Sequence, residues 1–155
     1  MSGSLAQALK LPEASLKVLL VEDEPADAHL VRLAFRESRL DIEINQVVDG
    51  QQALDFLNKK PPFENAFTPS LILLDLNMPR MGGKEFLAAA KTDPQLKRLP
   101  VVILTTSNAE QDIDYCYEMG ASGFITKPID IDQFIQVIKS LGDYWSNILK
   151  VPGKA

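Results

Sequence analysis

"LILLDLNMP", residues 71–79, runs four aliphatic side chains straight into a carboxylate, Asp75. A strand exposed on one face alternates apolar with polar. A continuous run of this length fits a strand covered on both faces, as in a parallel sheet flanked by helices. Asp75 then ends the buried run, either as a plain strand-end cap or at the mouth of a site. The surrounding sequence has to decide between the two.

Two further runs share the pattern: "KVLLV" at 17–21 and "VVILT" at 101–105. "IEINQVV" at 42–48 alternates more, as a sheet-edge strand does, and "GFIT" at 123–126 is a short fifth run. Helical stripes lie between them. The stretch 26–38 carries Leu30, Val31, Leu33, Ala34 and Phe35, with Pro25 suited to a first turn. Ala53, Leu54 and Leu57 follow Gly50; Phe86, Leu87 and Ala90 follow Gly82-Gly83. Asn108 is placed to cap 109–119, which stops at Gly120, and a last helix starts near Asp130 with Phe134, Ile135, Ile138, Leu141 and Trp145. The chain therefore reads strand, helix, five times. That predicts an α/β domain with right-handed crossovers and a doubly wound five-stranded parallel sheet in the order 2-1-3-4-5. The proline-rich segment 59–70, "KKPPFENAFTPS", is a long loop, either functional or a mobile insertion.

The totals fit one domain. There are 155 residues, 46% hydrophobic and 24% charged. A net charge of −5 argues against a broad nucleic-acid footprint. No apolar run approaches the ~20 residues of a membrane span, and the N-terminus lacks a signal-peptide pattern, so a cytoplasmic protein is expected. The single cysteine, Cys116, is read as structural, and His29 as a surface residue. Residues 1–15 are expected to be a flexible tail, 16–149 the folded domain and 150–155 a second tail.

In an open α/β sheet, ligands bind beyond the carboxyl ends of the strands. There the first strand ends in Glu22-Asp23, the third in Asp75, the fourth in Thr105-Thr106-Ser107 and the fifth in Lys127-Pro128. Each residue alone is unremarkable chemistry for a strand end; together they describe a site. Crowded carboxylates repel one another, and a divalent cation relieves that. Oxygen ligands with room for water suit Mg²⁺, held by Glu22, Asp23 and Asp75 with the backbone carbonyl near Asn77. A carboxylate can attack phosphorus, and phosphoryl transfer asks mainly for position and charge neutralisation. Asp75 is the candidate nucleophile, Lys127 the neutralising cation and Thr105 a hydroxyl donor to a phosphoryl oxygen.

The motifs "VLLVEDEP", "LILLDLNMPRMGG", "VVILTTS" and "GASGFITKP", in that order, resemble the receiver domain of two-component response regulators across residues 16–149. The resemblance implies a flavodoxin-like (βα)5 fold. It implies that Asp75 takes a phosphoryl group from a sensor histidine kinase or a histidine phosphotransfer protein, and that the output is a contact with a downstream protein rather than separate substrate turnover. It assigns Glu22, Asp23 and the Asn77 backbone to Mg²⁺, and Thr105, Thr106 and Lys127 to the phosphoryl group. Asn77 and Ser107 fall where relatives tune acyl-phosphate lifetime. The Lys127–Pro128 bond is cis in many members. Thr105 and Phe124 fall at the positions of the family's hydroxyl–aromatic switch; Phe124, lacking a hydroxyl, leaves open whether that switch operates. Gly82 stands where many relatives carry aspartate. The long third loop, "LKRLPVVILTTS" and the aromatic "DYW" resemble single-domain regulators paired with bacterial phytochromes. Such regulators dimerise through the face of the fourth helix, fifth strand and fifth helix, where Trp145, Ile148 and Leu149 permit a contact or close over the domain's own core. Two other readings compete. A haloacid-dehalogenase-like phosphatase would want a second aspartate two positions after the nucleophile, where Asn77 stands. A pseudo-receiver that is never phosphorylated would not need every chemical position filled.

Overall fold

The structure is a computed structural model that describes residues 16–38, 41–78, 81–106 and 110–140. Five strands, β1 (Leu16–Val21), β2 (Ile42–Val47), β3 (Leu71–Asp75), β4 (Val101–Thr105) and β5 (Gly123–Thr126), form one sheet in the order β2-β1-β3-β4-β5, every pair parallel. Among the described residues, five helices alternate with them: α1 (Pro25–Ser38), α2 (Gly50–Leu57), α3 (Gly83–Thr92), α4 (Glu110–Glu118) and α5 (Ile131–Ser140). The doubly wound order expected from the pattern is the order found.

The continuous apolar runs are explained by two cores. Alternate residues of each strand point to opposite faces. Val18 and Leu20, Leu71 and Leu73, Val102 and Leu104 meet Ala28, Val31, Ala34, Phe35, Phe134 and Ile138 of α1 and α5. Leu19 and Val21, Ile72 and Leu74, Val101 and Ile103 meet Ala53, Phe56, Phe86, Leu87, Ala90 and Cys116 of α2, α3 and α4. β3 and β4 are buried at every position, whereas β2, at the edge, is only partly covered. On the first face Phe35 and Phe134 lock α1 to α5 edge to face, centroids 5.2 Å apart. Cys116 is buried, and burial pushes its thiol up, away from the reactive thiolate. His29 is exposed on α1.

Local signals set the helix ends. Asp49 caps α2, its carboxylate accepting from the Gln52 backbone N–H at 2.8 Å, while Gln52 Oε1 accepts from the Val48 N–H at 3.0 Å. The first bond satisfies a donor of the first turn, and the second ties down the residue just before the cap. Asp49→Ala is expected to lower stability by about 1–2 kcal/mol in urea denaturation, because the buried cap has no water to replace it. Gly120, at φ 98°, takes the left-handed conformation that stops the chain after α4. The loop between α2 and β3 is tied to the body of the protein. Phe63 and Phe67 pack edge-on against Phe56 at 5.4 and 5.3 Å, and the Lys17 ammonium lies 5.7 Å from the Phe67 ring centre. The expected tails, the Asn108 cap, Ser107 and the proposed dimer residues Trp145, Ile148 and Leu149 lie outside the described residues.

Candidate functional site

The parallel sheet brings the polar strand ends to one rim. Glu22 continues the pairing of β1 with β2: its N–H donates to Val47 O at 2.9 Å, and its own carbonyl accepts from Gln46 Nε2 at 2.8 Å. Its side chain is therefore aimed by a strand, and it is fully buried. Asp75 ends β3, also buried, with Oδ1 accepting from the Asn77 backbone N–H at 3.0 Å. Thr105 ends β4, fully buried, its hydroxyl accepting from Asn77 Nδ2 at 3.1 Å. The same amide nitrogen lies 3.5 Å from the exposed Thr106 hydroxyl. Lys127 follows β5, held by its backbone N–H donating to Thr105 O at 2.8 Å, and its peptide bond to Pro128 is cis.

The Lys127 ammonium lies 2.8 Å from Glu22 Oε1, 2.8 Å from Asp27 Oδ2 and 3.4 Å from Asp75 Oδ2, and its side chain is only 7% exposed. Burial alone would lower its proton affinity. Contact with Asp27 and Glu22 and the charge of Asp75 outweigh that and lift it above the ordinary lysine range. Glu22 is also raised, which for a carboxyl favours the neutral form. Burial, then the charge of Asp75, overcome Lys127 and raise it from 4.5 to about 7. One ammonium does not neutralise this cluster.

The residues fit a divalent cation. One oxygen each from Glu22, Asp23 and Asp75 lie within 4.8 Å of one another, Asp23 being exposed to the outside. Glu22 Oε1 is buried and, apart from the ammonium contact, accepts no hydrogen bond. A buried carboxylate oxygen with spare acceptor capacity is what a hard cation would occupy.

All the strand-end residues named from the sequence and described here, Glu22, Asp23, Asp75, Asn77, Thr105, Thr106 and Lys127, come to this rim. Phe124 is partly buried on the α2–α3–α4 face, beside Ile103 in register, below Thr105 on the neighbouring strand. Asp27 was not anticipated. Its position in the first turn of α1, one helical turn after the acidic doublet, was the available signal, but a first-turn acid is ordinary helix chemistry.

Comparison with known proteins agrees with this geometry. The family model of the response regulator receiver domain matches residues 18–139. The chain is 38% identical over 135 residues to the response regulator Rcp1 of Synechocystis sp., covering 87% of this chain and 92% of Rcp1. Among solved structures, that of the phosphorylated cyanobacterial phytochrome response regulator RcpA aligns with a TM-score of 0.75 and 41% identity, covering 87% of this chain and 96% of RcpA. The Mn²⁺-bound form of Rcp1 aligns with a TM-score of 0.74 and 38% identity, covering 89% of this chain and 99% of that one. No described helix is long and apolar enough to cross a membrane.

Proposed function

This chain belongs to the response regulator receiver family of two-component signalling, and from that premise we propose that Asp75 accepts a phosphoryl group from a histidine kinase or phosphotransfer protein, in the presence of Mg²⁺. The single observation that carries the reading is the convergence of Asp75, Glu22 and Lys127 within ion-pair distance at the sheet's carboxyl rim. An Asp75 carboxylate oxygen bonds to phosphorus while the phosphorus–nitrogen bond of phosphohistidine breaks, and the electron pair leaves with the imidazole. Lys127 neutralises charge on the phosphoryl oxygens. The Thr105 hydroxyl turns from Asn77 to donate to one of them. Glu22, Asp23, Asp75 and the Asn77 carbonyl would hold a Mg²⁺ ion, which would supply the remaining neutralisation. Asn77, bonded through its side-chain amide to the Thr105 hydroxyl, borders the approach of water and tunes the lifetime of the acyl phosphate, and Ser107 is the second position assigned to that role. The similarity to RcpA supports a kinase of the phytochrome type as the donor, and a changed protein contact, in the cytoplasm, as the output. The test is incubation with acetyl phosphate, or with beryllofluoride, with and without Mg²⁺. One adduct, located on Asp75 by mass spectrometry and dependent on Mg²⁺, is expected; an intact chain with no adduct sinks the proposal. Phosphotransfer from phytochrome-type and unrelated kinases then tests the donor.

The raised Glu22 carboxyl gives a pH dependence. Its folded value of about 7 exceeds the ordinary 4.5, so protonation favours the cation-free folded state. The contribution is fully present below about pH 4.5 and is lost as pH rises through about 7. Cation binding needs the ionised form. The rise in Tm produced by Mg²⁺ is therefore expected to be small near pH 5, to grow with pH and to level off above about 7. An equal Mg²⁺ shift at acidic and alkaline pH would remove Glu22 from the ligand set.

A further inference from the structure

We propose that Asp27 is a positioning residue: it divides the Lys127 ammonium between α1 and the phosphoryl pocket. The inference rests on the phosphoacceptor reading above. Asp27 Oδ2 and Glu22 Oε1 each lie 2.8 Å from the ammonium, whereas Asp75 Oδ2 is 3.4 Å away. In this arrangement the lysine therefore leans toward Asp27 and Glu22 and away from the acceptor.

The two tightly placed carboxylates are not equivalent. Glu22 is one of the three acids whose oxygens come close enough to share a cation; Asp27 is not among them. Asp27 stands on the first turn of α1, outside the strand ends, with its side chain 22% exposed. A cation entering the pocket draws on Glu22 and Asp75 but leaves Asp27 its hold on Lys127. Asp27 thus offsets part of the ammonium charge in every state of the site. That has two consequences of opposite sign. It eases the entry of a dication beside an ammonium, since like charges at this range repel strongly where water is scarce. It also withholds part of the ammonium from an incoming phosphoryl oxygen.

A purely structural Asp27, one that only favours the N-terminus of α1, would behave differently. Its removal would loosen the helix and weaken every ligand together. Asp27→Asn separates the two, because the amide keeps the size of the side chain and loses its charge. In the variant, Mg²⁺ alone is expected to bind ~3-fold or more weakly, while beryllofluoride at saturating Mg²⁺ binds ~3-fold or more tightly. Calorimetric titration of Mg²⁺ and then of beryllofluoride reads both, with thermal melting to establish that the variant is folded. Asp27→Glu, which keeps the charge, is expected to restore both affinities toward wild type.

Parallel losses in both affinities, or no change in either, would overturn the proposal. The wild-type titration guards the premise. If the wild-type protein binds neither Mg²⁺ nor beryllofluoride, the receiver chemistry itself has failed. If it binds both and Asp27→Asn lacks the opposed response, only the role of Asp27 falls.

Discussion

Asp75→Asn is expected to abolish phosphorylation while leaving the protein folded. The amide is nearly isosteric with the carboxylate and can still accept from the Asn77 N–H, which is 3.0 Å from Oδ1. It has no anionic oxygen with which to attack phosphorus. Adduct formation with acetyl phosphate or beryllofluoride should fall by more than about a hundredfold, since no other described carboxylate is both buried and within reach of the Lys127 ammonium except Glu22, which the strand pairing holds on its own side. Stability should be unchanged or higher in cation-free buffer. Asp75 charge is one of the causes that raise Glu22, so its removal relieves crowding. The same relief predicts that the Mg²⁺-dependent rise in Tm shrinks, because one ligand is gone. Mass spectrometry of the intact chain and thermal melts with and without Mg²⁺ read these outcomes. A variant that is still modified to wild-type extent would move the acceptor to another residue and leave Asp75 as a plain strand-end cap.

The sheet was legible because burial on both faces leaves a mark in one dimension. β1, β3 and β4 are central strands and read as unbroken aliphatic runs; β2 alternates because one side of it is an edge. The rim residues were legible for a related reason: a carboxylate, hydroxyl or lysine at the end of such a run has its position fixed by the strand. Asp27 had no such anchor. Which way a first-turn acid points depends on how α1 packs against α5 and the sheet, and nothing local encodes that. The Asp49 cap has a signal in its Asp-x-x-Gln spacing, but Gly50 ahead of the helical stripe stands as the apparent boundary and hides it. The loop at 59–70 read as prolines and polar residues; its order comes from Phe63 and Phe67 finding Phe56, a tertiary contact invisible in the segment itself. In the sequence the paired glycines at 82–83 stand before a helix, the first of them where many relatives carry aspartate, and the structure gives the second a stricter role.

Gly83→Val is expected to damage stability and phosphorylation together. A Cβ at position 83 would sit 2.5 Å from the Asp75 carbonyl oxygen and 2.5 Å from the Leu76 Cα. Both are backbone atoms of the segment that carries the acceptor, so neither can swing aside as a long side chain would. The Gly83 N–H also donates to Leu76 O at 3.2 Å, which fixes α3 against that turn. Relief requires the helix to lift or the chain after β3 to shift, at a cost of about 3 kcal/mol in urea denaturation, toward the upper end of what overpacking usually costs. Gly82 provides the contrast. A Cβ there meets nothing closer than Glu85 Oε1 at 3.8 Å, so Gly82→Ala should lie within about 0.5 kcal/mol of wild type. The coupling to function follows from which atoms clash. Displacing the Asp75 carbonyl moves its carboxylate relative to Lys127 and Thr105, and misplacements of an ångström in phosphoryl transfer cost heavily. At temperatures where Gly83→Val remains folded, its initial rate of phosphorylation by acetyl phosphate should still fall by about tenfold or more, beyond what the unfolded fraction explains. Equal behaviour of the Gly82 and Gly83 variants would mean that the turn yields easily, and that the acceptor is positioned by its strand alone rather than by the strand and the helix that closes on it.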